Sequence, residues 1–178
     1  SDKLTVALVA EFSRGKTELI NAIFFADYKQ RLLPSEAGRT TMCPTELLYD
    51  DKLEACIRLL PIETRASSTT IAEYKHAPVQ WTTLPLHLES PKEMTETLRE
   101  IMKTKPVPVR EAQKLGLYHP THDIPAQANG LIDIPVWRHA VINYPNPLLK
   151  QGLVVLDTPG LNALGTEPEL TMSMLPKA

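Results

Sequence analysis

Cysteine and glycine are both scarce in this chain of 178 residues, with two Cys and seven Gly. Cys43 and Cys56 cannot build a disulfide framework, which excludes the small stapled secreted scaffolds and favours a reducing, cytoplasmic setting. An excess of one charge is also lacking: 19 Lys+Arg stand against 21 Asp+Glu, a formal net charge of −2. There is no bulk basic field for nucleic acid and no polybasic block for an anionic lipid surface. Long apolar runs are missing too. The longest, Leu4–Ala10 and Ala22–Ala26, fall far short of a membrane span, and no secretory signal is visible.

What is present is a hydrophobic fraction of 43%, enough for a core, and 16 prolines, which announce long loops or a punctuated insertion. The length suits one domain with an inserted subdomain. Thr5–Val9 is a short β-branched apolar run and reads as a buried strand. A loop follows, and from Lys16 the apolar residues Leu19, Ile20, Ile23 and Phe24 fall on one helical stripe. Leu53–Leu60 alternates as a half-buried strand, with Glu46–Tyr49 as a candidate hairpin partner across Asp50–Lys52.

Residues 61–135 carry nine of the prolines and read as a mostly helical, Pro-rich insertion. Ser90, Pro91 and Glu93 form a helix-start signature, followed by a stripe of Met94, Leu98, Ile101 and Met102. A shorter helix is expected over Val109–Leu115, stopped by Gly116. Val136–Tyr144 and Leu153–Leu156 are strand-like and predict an antiparallel hairpin, and a last helix is expected from near Thr166. The implied organisation is a front part (1–60), the insertion (61–135) and a continuation (136–178).

Three constellations carry chemistry. The first, Ala10-Glu11-Phe12-Ser13-Arg14-Gly15-Lys16-Thr17, lies between the expected strand and helix. It fits the phosphate-binding loop G-x-x-x-x-G-K-[ST] except that Ala10 stands in place of the first glycine. In such a loop backbone N–H groups and the helix N-terminus face phosphate oxygens, a lysine (Lys16) reaches the β- and γ-phosphates, and a hydroxyl (Thr17) ligates Mg²⁺. The second, Asp157-Thr158-Pro159-Gly160, ends an apolar strand. Its carboxylate suits the shell of a magnesium ion and Gly160 can offer a backbone N–H to a γ-phosphate. The third, Thr40-Thr41-Met42-Cys43-Pro44-Thr45-Glu46, lies between them; a threonine there can ligate Mg²⁺ and orient an attacking water.

The order of these motifs resembles that of P-loop GTPases, and their wording resembles the dynamin superfamily, especially bacterial dynamin-like proteins. EFSRGKTELINAIF, TTMCPTEL and LVVLDTPGLNALG carry the likeness, over about a third of the chain. So does the separation of 116 residues between Thr41 and Asp157, which leaves room for an insertion. The resemblance implies an α/β fold: a P-loop NTPase, Rossmann-like sheet with flanking helices and a helical insertion between the two switch regions. It assigns Ser13 to charge neutralisation between the β- and γ-phosphates, Ser13, Arg14, Gly15, Lys16, Thr17 and Gly160 to nucleotide binding, and Thr17, Thr41 and Asp157 to Mg²⁺. Ser13, Lys16 and Thr41 are the implied catalytic set, with Thr41 positioning the attacking water. Phe12 stands where dynamins typically carry glutamine, and Arg14 is either an internal arginine finger, a solvated side chain or a dimer contact.

The implied activity is Mg²⁺-dependent hydrolysis of GTP to GDP, with GTPase-domain homodimerisation and membrane remodelling in a cytoplasmic, peripherally membrane-associated parent protein. Lipid contact would come from regions outside this stretch, and no nucleic-acid partner is expected. No N/T-K-x-D base-reading segment follows the second switch, so the sheet is expected to be incomplete and the activity to belong to the parent protein. A P-loop ATPase and a non-hydrolysing nucleotide-binding scaffold are the alternatives. His119, His122 and Asp123 have the flavour of metal ligands, but Pro120 disfavours a regular helix and no second pair matches them, so no metal site is expected there, and Trp81 and Trp137 read as packing anchors.

Overall fold

The computed structural model describes residues 8–11, 43–121, 126–158 and 169–174. They form a mixed α/β structure. Seven strands make one sheet: β1 (Leu8–Glu11), β2 (Thr45–Leu48), β3 (Cys56–Pro61), β4 (Thr82–Pro85), β7 (Trp137–Asn143), β8 (Leu153–Thr158) and β9 (Glu169–Met174). Their order is β1-β9-β8-β2-β7-β3-β4. β5 (Thr104–Pro108) and β6 (Leu131–Pro135) pair apart as a two-stranded antiparallel sheet.

Four α-helical segments accompany them: α1 (Ile71–Tyr74), α2 (Pro91–Arg99), α3 (Val109–Lys114) and α4 (Pro147–Lys150). The stretch 61–135, expected to be mostly helical, thus holds strands as well as helices: β4 extends the main sheet, and β5 and β6 form the small one. The helix expected from Lys16 lies outside the described residues.

α2 forms where its signature stands. Ser90 accepts a hydrogen bond from the Glu93 N–H at 3.2 Å, and Pro91 occupies the first turn. Met94, Leu98 and the following Ile101 recur on one stripe and are fully buried. They pack with Leu47, Ile57, Leu59, Ala140 and Ile142, which share one face of β2, β3 and β7. A second, smaller core joins Ile62, Val107, Ala112, Leu115 and Ile134 beneath the small sheet. α3 stops at Gly116, whose φ of 70° is the left-handed conformation of a helix C-cap glycine.

Strand pairing departs from the sequence expectation in three places. β7 and β8 do not form a hairpin, because β2 lies between them, parallel to β7 and antiparallel to β8. Their connection is too long for a tight turn: α4, capped by Asn146 at 2.9 Å to the Leu148 N–H, crosses over the end of β2 and buries Leu149 in the larger core. β2 and β3 are likewise separated, by β7. Here Asn143, at the end of β7, holds the intervening turn: its Oδ1 accepts from the Asp50 N–H at 2.7 Å. Its Nδ2 donates to the carbonyls of Asp50, Leu53 and Glu54 at 3.2, 3.1 and 2.9 Å.

The third departure is the helix expected from Thr166, which is strand β9 over the described residues 169–174. Leu170, Met172 and Met174 alternate with Glu169, Thr171 and Ser173, a period of two that suits a strand paired on both sides. Most neighbours in the sheet are antiparallel; β2 and β7 are the parallel pair. β1 and β8 run in the same direction, with antiparallel β9 between them, instead of lying side by side as in a doubly wound parallel sheet.

Candidate functional site

The register of the main sheet places one residue of each motif region in a single cross-strand row. Ala10 of β1 pairs with Leu170 of β9, Leu170 with Asp157 of β8, and Asp157 with Thr45 of β2. The chain leaves β1 toward the phosphate loop, leaves β8 through Asp157 and Thr158, and enters β2 from the threonine-rich segment, all at one end of the sheet. Neighbouring strands lie about 4.8 Å apart, so Asp157 sits next to the exit of that segment and two strand spacings, roughly 10 Å, from Ala10.

Ala10 lies within strand β1, where extended backbone accepts alanine as readily as glycine. Of the residues implied in nucleotide and metal binding, Asp157 alone is among the described positions. Ser13, Arg14, Gly15, Lys16, Thr17, Thr41 and Gly160 lie outside them. The donors assigned to Mg²⁺, two hydroxyls and a carboxylate, are hard oxygen ligands of the kind that ion prefers. The donor chemistry fits the group, and the row brings the described strand ends that adjoin these segments to the end of the sheet that carries Asp157.

The exit of the threonine-rich segment is firmly held. Thr45 is fully buried and its hydroxyl donates to the Cys43 carbonyl at 2.8 Å. The Pro44 carbonyl accepts from the Ala140 N–H at 3.0 Å, which starts the β2–β7 pairing before β2 itself begins. Cys43 and Cys56 are both buried and in no disulfide, as the low cysteine count implied.

One residue after Thr45, the structure assembles a polar cluster that reasoning from the sequence missed. Glu46 of β2 and His139 of β7 share the sheet face opposite α2. The Glu46 carboxylate accepts from His139 Nε2 at 2.9 Å and from Lys75 Nζ at 2.8 and 2.7 Å. Because a carboxylate only accepts, Nε2 carries the imidazole proton, and His139 Nδ1 is buried without a partner. Burial by itself would raise the Glu46 carboxyl; the hydrogen bonds and charges of His139 and Lys75 outweigh it and hold the group at about 2. Trp81 meets the His139 ring edge-on at 6.1 Å, and its indole N–H donates to the Tyr74 carbonyl at 2.8 Å. Trp137 packs against the larger core and donates to Glu100 at 3.2 Å, so both tryptophans act as packing anchors. The available signal for the cluster was a carboxylate inside the short strand TELL and a histidine inside VWRHAVINY.

His122 and Asp123 lie outside the described residues. Among the described residues, His87, Glu89 and Glu93 bring three metal-ligating atoms within 4.8 Å of one another, all of them exposed and near the start of α2.

The model of the dynamin family matches residues 6–178. This chain belongs to the dynamin family. No curated protein and no solved structure matches it. Membership agrees with the P-loop reading: dynamin-family chains carry a P-loop GTPase domain, with GTP binding and hydrolysis as its general activity. In this dynamin-family chain a folded stretch with its own small sheet and core lies between Thr41 and Asp157, which are 116 residues apart.

Proposed function

We propose that the parent protein binds GTP with Mg²⁺ at the end of the sheet where β1, β8 and β2 meet the three motifs, and hydrolyses it by in-line attack of water on the γ-phosphate. The observation that carries this reading is the row Ala10–Leu170–Asp157–Thr45, which gathers segments far apart in sequence. Lys16, Ser13 and the backbone of Arg14 and Gly15 neutralise and hold the phosphates. Thr17, Thr41 and Asp157 hold the metal, Thr41 places the water, and Gly160 donates its N–H to the γ-phosphate. Mg²⁺, when bound, would supply charge neutralisation for the phosphates. Phosphoryl transfer asks little else of a protein than position and charge. Ala10, in regular strand, does not impair the loop.

The same reading extends to residues 1–60 and 136–178 as the GTPase domain proper and 61–135 as its insertion. It includes a homodimer formed through that domain, a bacterial-type dynamin-like relative, and a cytoplasmic protein that works on membranes through regions outside this chain. Fluorescent GTP and ATP binding with Mg²⁺ to the full-length protein, wild type and Lys16→Ala, tests it. GTP-selective binding lost in the variant is expected. Equal binding of both nucleotides, indifferent to Lys16→Ala, would replace the GTPase reading with that of a scaffold.

A further inference from the structure

We propose that Glu46 is a positioning residue through which the insertion controls the nucleotide site: Lys75 and His139 clamp its carboxylate and so fix strand β2 between the two switch segments. This rests on the GTPase reading above. Glu46 stands five residues after Thr41 in the sequence. In the sheet it pairs with Leu156, the neighbour of Asp157, on one side and with Val141 on the other. Any displacement of β2 therefore reaches both the exit of the first switch and the strand of the second.

The lysine arm of the clamp comes from the insertion, and the histidine arm from β7. Lys75 caps the C-terminus of α1, and α1 is a unit built to stay put. Its Thr70 and Glu73 form a reciprocal capping box, and Trp81 donates to the carbonyl of Tyr74. Arg138 of β7 lies 5.7 Å above the Tyr74 ring and Trp81 stands edge-on to His139, so α1 is docked on β7 by aromatic contacts. From that base Lys75 reaches across to β2. It meets a side chain that is 12% exposed, while its own is 43% exposed. A half-exposed lysine adds little to global stability. It does set where the carboxylate, and the strand beneath it, comes to rest. A partner or ligand that moved α1 would release this clamp, which gives the insertion a regulatory handle on the switches.

Turnover and nucleotide affinity of the full-length protein distinguish this role from a structural one. Lys75→Met should lower kcat for GTP about fivefold, the size of a coupling passed between neighbouring elements. GDP affinity should stay at its wild-type value, because the switches engage the γ-phosphate. Lys75→Arg should restore the rate, and Glu46→Gln, which keeps the shape, should reproduce the loss. An unchanged kcat in Lys75→Met would overturn the proposal. So would a parallel fall of kcat, GDP affinity and melting temperature, which marks a merely structural pair. A wild type that binds no GTP overturns the GTPase reading instead, so the two failures are distinguishable.

Discussion

The two faces of the strands β2, β7 and β3 differ sharply. One presents Leu47, Ile57, Leu59, Ala140 and Ile142 to α2 and is wholly apolar at its centre. The other presents Glu46, Arg58, His139 and Asn143 among Leu60, Val141 and Cys56. The apolar face is interchangeable chemistry, volume filling volume, and gives the sheet its stability. The opposite face uses charges and amides that accept only particular partners at particular distances, and it fixes where turns and neighbouring segments lie.

Breaking the apolar face should have the largest effect. Leu98→Ala removes a fully buried side chain and should cost about 2–5 kcal/mol in denaturant unfolding, through lost transfer energy and the cavity left behind. The other face should show itself through pH. The carboxyl of Glu46 is held at about 2 against an ordinary 4.5, so the folded state binds fewer protons than the unfolded one. The stabilisation is fully present above the unfolded value and lost as pH falls from there through the folded value, roughly 3 kcal/mol in all. Unfolding free energies measured down that interval should decline in wild type and decline less in Glu46→Gln.

Asn143→Ala sharpens the contrast. It removes no large apolar area, yet it strands the turn groups of Asp50, Leu53 and Glu54, and about 1–3 kcal/mol should be lost, with faster hydrogen exchange at the Asp50 amide. Ser90→Ala, a cap serving the apolar face, should be the mildest at about 1 kcal/mol in the same unfolding assay.

The two faces were also unequally legible. α2 could be read in advance because its start, stripe and spacing are local, and so could α3 with Gly116. Strands β3 and β7 showed in their residue types. Which strands pair was not legible, since β7 inserts between β2 and β3 and its Asn143 holds the turn at Asp50, far from it in sequence. The helix expected from Thr166 was suggested by a cap-like Thr and Glu, while the two-residue alternation of β9 was the truer signal. The motifs themselves were plain in the sequence and agree with the family to which the chain belongs. Glu46 was not, because its meaning depends on Lys75 and on His139, 93 residues away.

The placement of β9 bears on the order in which the molecule is made. Among the described residues β1 pairs with β9, and its register runs Leu8 to Met172 and Glu11 to Glu169. A ribosome delivers β1 well before β9. The described pairing of the strand that leads into the phosphate loop therefore forms only after β9 has been made, and its docking closes a long loop. During that interval the rest of the sheet can already pair around β2 and β7. The strand that precedes the phosphate loop is then docked later than the strands around β2 and β7.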